Sequence, residues 1–147
     1  MIKTDAQRAR TMTQIEGFRR ALEQQVVTEK APKRTLAIRG SYEGMIRRLE
    51  EEIEEYDLLK AGSVTIPPLE RLDQIAPFIV RLRIAKGVSQ TELASRLGVS
   101  KQVVSRNEDD DYQGVGLERL QSILDALGVR GIARDLAAAG LGKLKPL

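Results

Sequence analysis

Residues 82–108, LRIAKGVSQTELASRLGVSKQVVSRNE, decide how the rest of this chain is read. Ser89-Gln90-Thr91-Glu92 has the form of a capping box, in which the Ser89 hydroxyl takes a first-turn backbone N–H and Glu92 reaches back to the N–H of Ser89. A helix is therefore predicted to start at about Gln90. Leu93, Ala94 and Leu97 share one side of it, and Gly98 supplies the left-handed residue that commonly follows a helix end. That helix is only about two turns long. Val99 then turns inward, and Ser100 is placed to cap a second short helix. Its buried side is predicted at Val103 and Val104, with Lys101, Gln102, Ser105 and Arg106 pointing outward. The expectation is two short helices joined by a tight glycine turn.

Taken together, Leu82-Arg83, Gly87, Ser89-Gln90, Glu92-Leu93-Ala94, Leu97-Gly98, Ser105-Arg106 and Glu108 stand in an order that resembles the Xre-type, lambda-repressor-like helix-turn-helix domain. The resemblance runs on through LERLQSILDALGV at 117–129 and covers roughly residues 75 to 130. It implies an all-α, five-helix DNA-binding domain whose second motif helix enters the major groove. On that reading Lys101, Gln102 and Arg106 match the base-edge readers. Arg or Lys can bond O6 and N7 of guanine and Gln can bond N6 and N7 of adenine, each good pair discriminating by about 1–3 kcal/mol. Gln90, Ser100 and Ser105 match positions that meet phosphates and set register, not sequence. Arg83 and Glu108 match a pair that resembling domains bury as an ion pair between the first and third helices.

Two departures from the family pattern stand out. Asn107 occupies a position that is usually apolar or aromatic, which puts the packing beneath the reading helix in question. Glu108-Asp109-Asp110-Asp111 then places four carboxylates directly after a groove-reading helix, where they repel phosphate unless the loop turns away or Arg83 neutralises Glu108. A charge run of this kind is usually a solvated turn. It lacks the D-x-[DN]-x-[DN]-G-x5-E spacing of a calcium loop, so no metal site is expected.

Composition narrows the rest. Aromatic residues make up 3% and charged residues 31%, a balance that suits helices better than sheets. The net charge of +3 from 24 basic and 21 acidic residues does not by itself announce nucleic acid, so the position of charge matters more than its total. With no cysteine there is no disulfide framework and no thiolate ligand or nucleophile. With no histidine the usual general base, the usual metal ligand and the familiar triads are gone. Neither an enzyme nor a cofactor is expected. MIKTDAQRAR has no apolar core of a signal peptide, and no apolar run approaches the roughly 20 residues that span a bilayer. A cytoplasmic protein with no membrane partner is the expectation.

Before the decisive stretch, residues 1 to 10 read as a polar arm or frayed helix start. From Thr11 to about Glu29, Met12, Ile15, Phe18, Leu22 and Val26 form one helical stripe. Lys30-Ala31-Pro32-Lys33 breaks it. A longer helix is predicted from about Thr35 to Lys60, where Tyr42, Ile46, Leu49, Ile53 and Tyr56 alternate by four and three as a coiled-coil seam. Residues 1–61 are therefore expected to form a helical hairpin. Two helices with one narrow stripe each bury little alone, so the hairpin calls for a second copy, the other domain or a different protein.

Residues 62–68, with Gly62 and Pro67-Pro68, read as the linker to a second domain at 69–147. There Pro77 suggests a break before a helix from Phe78 to Lys86 with Ile79, Leu82 and Ala85 inward. Leu117, Leu120, Ile123, Leu124 and Leu127 make an amphipathic helix closed by Gly128, and Ile132 to Ala139 suggest a further one before a basic tail at Lys143 and Lys145. Gly114-Val115-Gly116 and Gly142-Lys143 lack the context of phosphate-binding loops.

These readings imply a sequence-specific regulator, a dimeric repressor reading an inverted repeat in double-stranded DNA. The hairpin-plus-Xre order also resembles antitoxins of the HigA type, which would make the partner a toxin protein. A third possibility is an interaction module whose acidic loop has ended DNA binding.

Overall fold

The structure is a computed structural model that describes residues 1–28, 32–63 and 71–129. Those residues are all-helical, as composition and periodicity led one to expect: six α-helices, one 3-10 turn and no strand among them. They belong to two compact units, Met1–Pro67 and Pro68–Leu147, which are taken in turn.

In the first unit, α1 (Asp5–Thr28) packs against α2 (Pro32–Lys60) as a hairpin. Residues 5 to 10 are helix and not an arm, because Thr4 caps them. Its hydroxyl accepts from the Gln7 N–H at 3.2 Å, and the Gln7 side chain accepts from the Lys3 N–H at 2.8 Å. Thr4 is thus an N-cap, with Gln7 reaching back one residue further to Lys3, and periodicity alone passes over it. Likewise α2 begins at Pro32, where a fixed φ and a missing N–H suit the first helical position. The two stripes meet unevenly. Ile15, Ile53, Tyr56 and Leu59 are buried, the Phe18 and Tyr42 rings stand 5.6 Å apart, and Met12 remains 42% exposed. Where the N-terminus of α1 meets the C-terminus of α2, Arg8 donates to both oxygens of Asp57 at 2.7 and 2.6 Å, and Lys60 and Tyr56 donate to Asp5.

The second unit opens with a 3-10 turn (Leu72–Gln74) and α3 (Ile75–Ala85). Pro77 lies inside the first turn of α3 and does not end anything. Helix N-termini leave their first amides unpaired, so proline there removes no bond. The inner face of α3 is Ala76, Ile79, Val80, Arg83 and Ile84, while Leu82 and Ala85 are half-buried. Next come α4 (Gln90–Leu97), α5 (Lys101–Asp109) and α6 (Leu117–Ala126). Leu93, Ala94, Val104, Leu120, Ile123, Leu124 and Leu127 close the core as α4 packs on α5 and α6. Arg96 ties α4 to the end of α6, donating to the Ala126 carbonyl at 2.8 Å.

Two residues expected in this core are outside it. Leu117 is 76% exposed because it is the first residue of α6, on a turn that none of the other described helices covers. Val103 is 41% exposed. Adjacent helical positions are rotated by about 100°, so a narrow inner stripe that takes Val104 leaves Val103 at its edge. The helix suggested at 132–139 and the tail with Lys143 and Lys145 lie outside the described residues, as does most of the expected linker.

Candidate nucleic-acid interface

The helix-turn-helix is held by local chemistry at both joints. Ser89 is extended at φ −72°, and its hydroxyl accepts from the Glu92 N–H at 3.0 Å. The expected return bond from Glu92 is replaced by a pairing of its carboxylate with Arg96. Gly98 ends α4 in the left-handed conformation at φ 65°, which L residues with a Cβ enter at a cost of about 1–2 kcal/mol. Ser100 then adopts the backbone of a helix cap, but its side chain makes no capping bond to α5. The N-terminus of α5 therefore presents amides that the Ser100 side chain leaves unsatisfied.

The orientation of α5 is set from beneath by a buried polar cluster. Arg83 of α3 and Glu108 of α5 are 3% and 0% exposed at their side chains. Arg83 donates from Nε to Oε1 at 2.5 Å and from Nη2 to Oε2 at 2.8 Å, a two-pronged ion pair, and from Nη1 to the Val88 carbonyl at 2.9 Å. Gln90 is also buried, and its Nε2 donates to Glu108 Oε2 at 2.9 Å. The cluster joins α3, the start of α4 and the end of α5. The Gln90 side chain is thus committed inward, to the carboxylate that orients α5, which leaves only the backbone at the start of α4 for the phosphate contact the resemblance implies.

Glu108 is thus withdrawn from the acidic run, and its charge is met by Arg83. Asp109, Asp110 and Asp111 remain exposed. The loop then turns sharply. Asp111 and Tyr112 both have positive φ, 48° and 54°, and the Tyr112 N–H donates to the Asn107 carbonyl at 2.6 Å. That turn carries the Tyr112 ring inward to 5% exposure, so an aromatic supplied by the loop adds to the core where Asn107 is only half-buried. Its hydroxyl is buried without a hydrogen-bond partner, and burial, reinforced by the Glu108 charge, raises its pKa far above the usual phenol value. Sequence reading passed over Tyr112; the only signal was its apolar ring after an acidic run.

On the outer side of α5, Lys101, Gln102 and Arg106 are all exposed, and Ser105 is half-buried. Val103 stands among them, partly exposed and apolar. The surface therefore offers two cations, an amide and one apolar group on a single short helix, with three carboxylates at its C-terminal end. Among the described residues no group of three acidic side chains converges as a metal site, and no helix is long and apolar enough to cross a membrane.

Comparison with known proteins addresses this unit directly. The family model described as "Helix-turn-helix" matches residues 79–131, a little over a third of the chain. This range contains all of α4, α5 and α6 and most of α3, and the match is to a family of DNA-binding transcription regulators, not of enzymes. Among curated proteins, the phenylalanine–tRNA ligase beta subunit of Cereibacter sphaeroides is 55% identical over 42 residues, 25% of this chain and 5% of that protein. The corresponding subunit of Paramagnetospirillum magneticum is 83% identical over 24 residues, 16% of this chain and 3% of that protein. The chain thus spans only about a twentieth or less of the length of these relatives. No solved structure matches.

Proposed function

We propose, from the premise that residues 79–131 are an Xre-type helix-turn-helix domain, that this protein is a cytoplasmic, sequence-specific DNA-binding regulator acting as a dimeric repressor. The observation that carries the proposal is the buried Arg83–Glu108–Gln90 cluster beneath α5. A reading helix must be held at a fixed attitude for its side chains to meet base edges in register, and a two-pronged buried pair does this far better than an exposed one. Lys101, Gln102 and Arg106 are then the base readers, standing exposed on the held helix. Ser100 and Ser105 are the phosphate contacts, with the uncapped first turn of α5 adding its backbone amides. In a two-fold dimer the two α5 helices enter successive major grooves about 34 Å apart, so the operator is an inverted repeat with half-sites about one turn apart.

The test is fluorescence anisotropy of the full-length protein with the duplex upstream of its own gene, against a scrambled duplex, at two salt concentrations. A specific regulator prefers the native sequence by about 10³ or more and weakens steeply with salt. Arg106→Ala should relax sequence preference by about 1–3 kcal/mol while leaving the fold intact. Binding indifferent to sequence would reject the reading.

A second reading concerns the hairpin, and a specific observation favours it. Between α1 and α2 lies an open groove of about 560 Å³ with an apolar floor that includes Ile15, Ile53 and Leu58, edged by both signs of charge, among them Glu16, Arg19, Glu54 and Asp57. Such an apolar groove suits the apolar face of a partner protein's helix, as an antitoxin holding a toxin would require. Co-purification of the protein with the product of a neighbouring gene, lost on Leu58→Glu, would support that reading.

A further inference from the structure

Val103 is the one partly exposed large apolar side chain of α5, at 41%, while Val104 beside it is 3% exposed. At about 100° per residue, with Val104 pointing to the core, Gln102 and Arg106 fall near the centre of the opposite face, and Val103 and Ser105 flank it by about 80° on either side. The isopropyl group therefore borders the same surface as the assigned base readers, in the first turns of the helix. A lone exposed valine is ordinary on a protein surface. This one stands where every other outward group is polar or charged, and where the assigned ligand presents only one apolar group. In the major groove that group is the C5-methyl of thymine.

We propose that Val103 is a specificity-determining residue that packs its methyl groups against a thymine C5-methyl in the major groove, next to the base pair met by Gln102. The proposal rests on the assignment of α5 as the reading helix. Its chemistry fits the residue. Valine is β-branched and holds essentially one χ1 rotamer in a helix, so its methyl groups are presented without the ordering cost of a longer side chain. Burying them against a methyl removes apolar surface from water on both sides, and cytosine, which carries no methyl at C5, offers no such contact.

The experiment selects duplexes from a random pool with the full-length protein, then replaces each thymine of the resulting consensus by uracil, which removes the methyl alone. Affinities of the wild type and of Val103→Ala are measured on every duplex. One uracil position per half-site should weaken wild-type binding roughly fourfold, the value of one buried methyl-sized group. Val103→Ala should bind the thymine and uracil duplexes alike at that position and keep the wild-type melting temperature. If no uracil weakens the wild type, or if Val103→Ala remains as sensitive as the wild type, Val103 is not a methyl reader. In that case a consensus still lost on Arg106→Ala leaves the function of α5 standing. A selection that yields no consensus overturns both.

Discussion

Glu108 has no solvent exposure, and its two oxygens are shared between the Arg83 guanidinium and the Gln90 amide. Removing the charge strands a buried cation, and breaking such a pair by one partner typically costs about 3–5 kcal/mol. Glu108→Gln should therefore lower the unfolding free energy of the helix-turn-helix unit by an amount of that order, and with it the urea midpoint followed by circular dichroism. An unchanged midpoint would mean that the pair does not hold α5. Tyr112 is the opposite case. Its hydroxyl is buried with no partner, a burden of about 1–3 kcal/mol for the folded state, so Tyr112→Phe should leave the unit as stable or raise it by about 1 kcal/mol in the same assay. These two residues also mark how far the sequence could be read. Arg83 and Glu108 were found through resemblance to a family pattern. The inward turn of Gln90 depends on where Glu108 ends up, and that of Tyr112 on two consecutive left-handed residues, which no local preference of Asp111 or Tyr112 announces. Likewise, the outward position of Val103 follows from which of two adjacent valines the core can reach.

Helix existence was legible throughout the described residues, because apolar spacing and caps act locally, but boundaries depended on fewer residues. The Thr4 cap extends α1 to Asp5, and Pro77 lies in the first turn of α3 where it was expected to precede a helix. In the hairpin the pairing chemistry gives a pH test. Asp57 lies below its ordinary pKa of 3.8, chiefly because Arg8 donates to it, and Asp5 does so because Lys60 and then Tyr56 donate to it. A carboxylate with a depressed folded pKa adds stability at pH values above its unfolded pKa, and that contribution is lost as pH falls through the folded pKa. Asp57 is 44% exposed, so solvent screening holds the contribution to a few tenths of a kcal/mol. Asp57→Asn should thus lower the urea midpoint of the full-length protein slightly at about pH 7. The gap between variant and wild type should close in acid, as pH falls below the ordinary carboxylate pKa and through the depressed folded one. A gap that persists in acid would assign the loss to packing and not to the ion pair.

At the scale of the whole molecule, charge placement weighs more than net charge. The chain carries only +3, and the outer side of α5 bears Lys101 and Arg106 a few residues from the exposed Asp109, Asp110 and Asp111. Phosphates approaching this end of the helix meet both signs. The Glu108 charge is already compensated by Arg83, so the repulsion comes chiefly from the two loop aspartates, Asp110 and Asp111. They lie in the turn after α5, past its base-reading positions, and they carry no base information; their effect on binding must be close to uniform across sequences. Neutralising Asp110 and Asp111 together should therefore tighten binding to specific and scrambled duplexes by a similar factor, about two- to tenfold at low salt, and the gain should fade as salt rises toward about 0.5 M. Asparagine suits both sites, since it tolerates the left-handed backbone that Asp111 adopts. If the double variant instead gained affinity for the specific duplex alone, the loop would be touching bases and the reading surface would extend beyond α5. If it gained nothing, the loop would be turned away from the DNA, and the acidic run would have no bearing on binding.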